Sequence, residues 1–218
     1  MYDRVTKKIV IDPYRGGDDI GNTATNLIEK DFNLEVSQYI YNRLKELGIP
    51  VSITRNDDTT LDLDSRINKI KSFYGTGNDV IVISNALTSG GEGAEIVYAL
   101  RNSNALAQKI ANELEKTGQN VSKYYQRRLP SNTALDYNQL IRDTANNETL
   151  IIYYGNTDNT EDLNNIINNP EELGEAVVIA LLDYLNLDYT PTDDGNYYKV
   201  VAGDTIFMGN NEQYYKKY

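Results

Sequence analysis

Three acids, an arginine and two adjacent glycines crowd the stretch IVIDPYRGGDDIG, Ile9 to Gly21. An apolar run ending in an acid, a proline and a glycine pair is how a buried strand hands its chain to a functional loop. Asp12, Asp18 and Asp19, with Glu29 a little further along, could converge as oxygen ligands for calcium or magnesium. Charge runs more often face water, so Asp18 and Asp19 read as solvated loop acids and Asp12 as a cap on the turn. Gly16 and Gly17 read as a tight turn, because the chain has no strand–GxGxxG–helix or Walker pattern. The tip, Tyr14 and Arg15, offers a phenol and a guanidinium, neither of which is a base at neutral pH. Ser84 has no base to activate it as a nucleophile.

That last statement follows from composition. The chain contains no His and no Cys. This removes disulfides, thiolate metal sites, Cys nucleophiles, the commonest zinc ligand and every Ser–His or Cys–His arrangement. The net charge of −11 argues against nucleic acid and against an anionic membrane surface, both of which select clustered Lys and Arg. No window approaches 18 apolar residues, so no membrane span is expected. The opening MYDRVTKKIVID holds no apolar stretch of signal length, which reads either as synthesis without a signal peptide or as a chain whose leader has been trimmed.

The elements that must position these residues follow from periodicity. Lys7–Asp12 reads as a buried strand. Asp31–Leu47 reads as a helix with Phe32, Val36, Ile40, Leu44 and Leu47 on one stripe and Gly48 as its stop. PVSITR is a second strand. Leu63, Ile67, Ile70 and Tyr74 mark a helix with Asp62 or Asp64 near its start. Asp79–Ser84 is apolar almost throughout, as a strand covered on both faces would be. GAEIVYAL is another strand, and Ser103 is expected to cap a helix carrying Leu106, Ile110 and Leu114. Thr149–Gly155 is the last strong strand. A short helix around Leu163 and Ile167 follows it, and then a helix with Asn169 as N-cap and Pro170 in its first turn. The alternation predicts an α/β domain of three layers, a largely parallel mixed sheet flanked by helices, over residues 1–186. Ligands in such sheets sit beyond the carboxyl ends of strands, here the loops after Asp12, Ser84 and Tyr153. Residues 187–196 read as an acidic linker, and 197–218 as a Tyr-rich tail too short for its own core. The pairs Tyr124–Tyr125, Tyr197–Tyr198 and Tyr214–Tyr215 suit either half-burial or an interface.

Those loop positions, in that order, resemble the zinc-dependent N-acetylmuramoyl-L-alanine amidases, which cut peptidoglycan between the muramic acid lactyl group and L-alanine. The likeness runs from about Lys8 to Leu185. The family's Asp-Pro-Gly-His-Gly-Gly is Asp12-Pro13-Tyr14-Arg15-Gly16-Gly17 here. Its Glu-Lys-Asp-x-Asn-Leu is intact as Glu29-Lys30-Asp31-Phe32-Asn33-Leu34. Its Ser-x-His is Ser84-Asn85-Ala86, and its strand-ending catalytic Glu is replaced by Tyr153 before Tyr154-Gly155. RRLPSN (Arg127–Asn132) and DNTEDLNN (Asp158–Asn165) also resemble members, and YKVVAGDTIF (Tyr198–Phe207) resembles the opening of a lysin motif.

In the family, two His and a Glu hold zinc and the last Glu acts as general base. The resemblance therefore implies vestigial zinc positions at Arg15, Glu29 and Ala86 and a vestigial base position at Tyr153. No metal and no cofactor are expected. Glu29 left without zinc requires a partner, which predicts an Arg15–Glu29 ion pair. Tyr14, Asn85, Arg128 and Tyr153 are the expected lining of a residual groove. The functional expectation is a catalytically inactive amidase homologue, a pseudoenzyme that binds peptidoglycan, a muropeptide or a protein partner. The alternatives are a self-associating structural protein with the tail in subunit contacts, and an active amidase with an altered site. The resemblance adds synthesis in the bacterial cytoplasm without a signal peptide, with release to the cell wall or assembly outside the cell as the expected destination.

Overall fold

The structure, a computed structural model, describes residues 7–189 and the backbone of residues 206–208 and 214–216. Strand β1 (Lys8–Pro13) is followed by the short pair β2 (Thr23–Ala24) and β3 (Leu27–Ile28), helix α1 (Glu29–Glu46), β4 (Val51–Ile53), α2 (Leu63–Tyr74) and β5 (Val80–Thr88). Next come β6 (Ala94–Tyr98), α3 (Ala105–Lys116), β7 (Val121–Tyr125), β8 (Arg128–Leu129), β9 (Asn132–Asp136) and α4 (Gln139–Asp143). The chain continues through β10 (Glu148–Asn156), α5 (Thr160–Asn168) and α6 (Pro170–Tyr184), and the backbone of β11 (Ile206–Met208) pairs with β12 (Tyr214–Lys216).

Six strands form the central sheet in the order β4-β1-β5-β10-β6-β7. All neighbours are parallel except β6 and β10, which run antiparallel. The sheet is thus largely parallel and mixed, as the alternation of elements predicts. Both faces of its centre are covered, which is why β1, β5 and β10 are buried almost throughout. Ile9, Ile11, Ile81, Ile83, Leu150 and Ile152 face the stripes of α1, α3 and α6. Val10, Val80, Val82 and Ile151 face Ile67 and Ile70 of α2 and Leu140 and Ile141 of α4.

Several boundaries differ from the expected ones for local reasons. Helix α1 begins at Glu29, two residues early, because the β2–β3 pair delivers an extended Ile28 directly into it. Asp62 caps α2 as expected, accepting from the Ser65 N–H at 2.8 Å. Ser103 does not cap α3; Asn104 holds that position, with no side-chain hydrogen bond. Asn169 precedes α6, yet its side chain donates to Asn165 Oδ1 and caps no amide. Strand β7, the β8–β9 hairpin and α4 lie where the sequence carried no strong periodic signal. Strand β5 runs on to Thr88, so Ala86 lies within a strand and not in a loop, and β10 holds Tyr153 as expected and ends one residue later, at Asn156.

Tyr189 stays on the domain beyond the expected start of a linker. Its phenol hydrogen-bonds Arg43 and Glu175, and the Leu187 N–H donates to Leu182 O at 2.9 Å. Tyr124 and Tyr125 are half-buried on β7. Tyr125 donates to Glu95 at 2.9 Å, and burial together with that carboxylate pushes its phenol up to about 12. Tyr197–Tyr198, the side chains of Tyr214–Tyr215 and most of the lysin-motif-like stretch lie outside the described residues. Among the described residues no helix is long and apolar enough to cross a membrane.

Candidate functional site

The ends of β1, β5 and β10 and the start of α1 converge on one place. Asp12, near the end of β1, is fully buried. It does not cap a turn, as the sequence suggests. It accepts from Thr54 Oγ1 at 2.8 Å, from Ser84 Oγ at 2.7 Å and from Arg66 Nε at 3.1 Å, and Arg66 Nη2 completes a two-pronged ion pair. Burial alone would push the Asp12 carboxyl up; Arg66 and the two hydroxyls outweigh it and hold the group below its ordinary value. The Tyr14 ring meets two guanidiniums, its centre 4.4 Å from Arg66 and 4.7 Å from Arg15.

Arg15 adopts a left-handed backbone, φ 66°, an uncommon state for a long side chain. The loop beyond it is pinned from the β4–α2 connection. Gly17 N–H donates to Asp58 at 2.7 Å and Asp18 N–H to Thr60 Oγ1 at 3.0 Å. The Arg15 guanidinium is divided between two acids. Nη1 lies 3.2 Å from both carboxylate oxygens of Asp19, and Nε lies 3.5 Å from Glu29 Oε1. Nε is buried and makes no hydrogen bond, so its contact with Glu29 is an ion pair by distance alone. Burial works against the charged guanidinium, while Glu29 and Asp19 more than compensate and raise its pKa.

Glu29 is fully buried as the first residue of α1, where a carboxylate also complements the helix dipole. Its Oε2 accepts from both the N–H and the side-chain amide of Asn22, at 2.7 and 2.8 Å. Its Oε1 faces the Leu87 N–H at 3.4 Å. Gly21, at φ 69°, closes over this carboxylate, and a Cβ there would press into Glu29 Oε2. Gly21→Ala combines a strained backbone with that clash. It is expected to destabilise the fold by more than about 1 kcal/mol, read as a lower urea midpoint at unchanged slope.

Ala86 and Tyr153 are register partners on β5 and β10. Ala86 is fully buried, and both pack in the layer that includes Tyr14. Burial pushes the Tyr153 phenol up. The expected groove lining is corrected at Asn85, which is fully buried and faces the α1 layer. Asn85 donates to Ser37 Oγ at 2.8 Å and accepts from the Tyr154 phenol at 3.0 Å. Arg128 is exposed on β8 and bonds the Thr133 carbonyl within its own hairpin. Asp18 and Asp19 are exposed, and among the described residues no group of three or more His, Cys, Asp or Glu is placed to hold a metal ion.

Three residues of this site escape a reading of the sequence, and only one leaves a trace in it. Arg66 lies three residues after Leu63 and four before Ile70, so it sits on the apolar stripe of α2. A cation there needs a buried acid. Asn22 and Gly21 leave none, because their roles depend on where Glu29 arrives from the other side.

Chemically the cluster pairs one buried carboxylate with a guanidinium, an aliphatic side chain and a phenol.

A family profile described as N-acetylmuramoyl-L-alanine amidase matches residues 9–183. The "Probable cell wall amidase LytH" of Staphylococcus aureus is 33% identical over 115 residues, covering 51% of this chain and 38% of that protein. The match thus spans less than half the length of that relative. Among solved structures, the N-acetylmuramoyl-L-alanine amidase AmiC2 of Nostoc punctiforme superposes with a TM-score of 0.70 at 21% identity, over 83% of this chain and 98% of that one. The CwlD amidase of Clostridioides difficile, solved in complex with the GerS lipoprotein, gives 0.68 at 21% identity over 84% and 100%. These likenesses bear on the fold alone.

Proposed function

Because the chain belongs to the N-acetylmuramoyl-L-alanine amidase family across residues 9–183, we propose that its strand-end site is a non-hydrolytic binding site for peptidoglycan fragments. The carrying observation is the Arg15 guanidinium lying 3.5 Å from Glu29. A catalytic zinc takes three protein ligands and keeps one position for water. The residues here do not fit that group. Arg15 has no free lone pair and repels a cation, Ala86 has no donor, and Glu29 already accepts from Asn22. Tyr153, pushed up by burial, is a poor base. Arg15 instead balances Glu29, and the surrounding fold is kept as a platform.

The test measures metal content, hydrolysis and binding on the same preparation. Equilibrated with zinc and then dialysed, the protein is expected to hold far less than one zinc per chain and to release no new amino termini from peptidoglycan. Calorimetric titration with a soluble muropeptide is expected to saturate. Stoichiometric zinc with amide cleavage would restore the reading of an active amidase with an altered site. Absence of muropeptide binding together with concentration-dependent sedimentation would favour the self-associating scaffold.

A further inference from the structure

Most described arginines are committed within the protein. Arg15, Arg43, Arg66, Arg101 and Arg142 each lie within 4 Å of an acid, and Arg55 bonds the carbonyls of Asp57 and Lys30. Arg127 differs. It is exposed, and among the described residues its guanidinium meets no carboxylate and no hydrogen-bond acceptor. Among the described residues Arg55 and Arg128 also lack an acid, but each bonds a main-chain carbonyl; Arg127 has neither.

Arg127 is nonetheless held in place. Its guanidinium carbon lies 3.7 Å from the centre of the Tyr137 ring, and its carbonyl accepts the Tyr137 N–H at 2.7 Å. One face of the fork is covered by the ring while its N–H edges stay open, the arrangement that receives a carboxylate in a two-pronged manner. Tyr137 itself is 41% exposed. The next residue, Asn138, lies against the Tyr153 phenol and favours its ionised form, as does the charge of Arg127. On the side of Tyr153 there is therefore a preset cationic fork with an exposed aromatic under it. A ligand matching both carries a carboxylate on a sugar or other ring that can lie against Tyr137.

The family's reaction generates such a ligand. Hydrolysis of the N-acetylmuramoyl–L-alanine amide adds hydroxide to the acyl carbon and a proton to the departing amine. The neutral amide becomes a carboxylate on the glycan, and the peptide leaves with a free amino terminus. Resting on the binding reading above, we propose that the Tyr153–Arg127 face recognises glycan from which peptides have already been removed. An amidase would supply this ligand, and the present chain would read the product.

The probe is a tetrasaccharide of alternating N-acetylglucosamine and N-acetylmuramic acid with free lactyl carboxylates, compared with the same glycan bearing amide-linked stem peptides. Both are titrated into the full chain by calorimetry. The carboxylate form is expected to bind at least about tenfold more tightly. Arg127→Gln is expected to lower its affinity roughly ten- to a hundredfold, the weight of a hydrogen bond to a charged group, leaving the peptide-bearing form unchanged. Arg127→Lys should restore only part of the loss. An unchanged melting temperature confirms that the Gln variant is folded. Equal affinity for the two glycans overturns this inference while leaving the binding reading intact. Binding of neither overturns both. An Arg127→Gln loss shared equally by both glycans also overturns it.

Discussion

Replacing Arg66 with Met is expected to destabilise the domain by about 3–5 kcal/mol at neutral pH, the usual effect of stripping one partner from a buried ion pair. The size follows from what remains. Asp12 is fully buried with only the Ser84 and Thr54 hydroxyls for company, and Tyr14 loses the guanidinium 4.4 Å from its ring. A pH series separates this from a simple packing defect. In the native protein the Asp12 carboxyl is held below its ordinary value. Its stabilising contribution is therefore present above the unfolded value of about 3.9 and is lost as pH falls through the lower folded value. Without Arg66, burial dominates and the carboxyl moves up, so the variant's folded state takes up a proton before its unfolded state does. The deficit should thus be largest near pH 7 and should shrink as pH falls toward 4, measured by urea unfolding of both proteins. A deficit independent of pH would mean that Asp12 is not the charge left uncompensated.

The same pair shows which parts of the molecule could be read from the residues and which could not. The sheet and its two helical layers were legible because each depends on a local period. Runs such as Val80–Ile83 and the stripe Phe32, Val36, Ile40, Leu44 announce burial through their own spacing. Asp12 looked like a turn cap because its partners lie 42, 54 and 72 residues away, and no local pattern encodes such distances. Asn85 was misplaced for a related reason. Alternation on β5 sends it to the α1 layer, but the strand had been read as ending at Ser84. The β8–β9 hairpin was missed because Asn132–Leu135 are exposed and have no core-facing period. That hairpin flanks Arg127 and Tyr137, so the cationic fork could not be located from sequence either. The 3.2 Å approach of Arg15 to Asp19 has no signature in the sequence, where Asp19 reads as a solvated acid.

Restoring two ligands and the base position is expected to produce the second large effect. The combination Arg15→His, Ala86→His and Tyr153→Glu should bind zinc on the order of 10⁴-fold more tightly than the native chain or better. Outer hydrogen-bond partners of a metal site alone are worth about 10- to 100-fold each, and two imidazoles in direct contact should exceed that. The backbone supports the change. At φ 66° position 15 lies in the left-handed region, where His is enriched among non-glycine residues and long side chains are not. Glu29 is already oriented by Asn22 and enclosed by Gly21. The obstacle is volume. Ala86 is fully buried and is the register partner of Tyr153, so Ala86→His alone overfills the layer and should cost about 1–3 kcal/mol. Tyr153→Glu removes a ring from the same layer, and the two changes together should recover most of that loss. The stabilities of the single, double and triple variants test the packing argument, and calorimetry with zinc tests the site. A triple variant that folds but binds zinc no better than the native chain would show that these four positions do not converge on one metal-sized space.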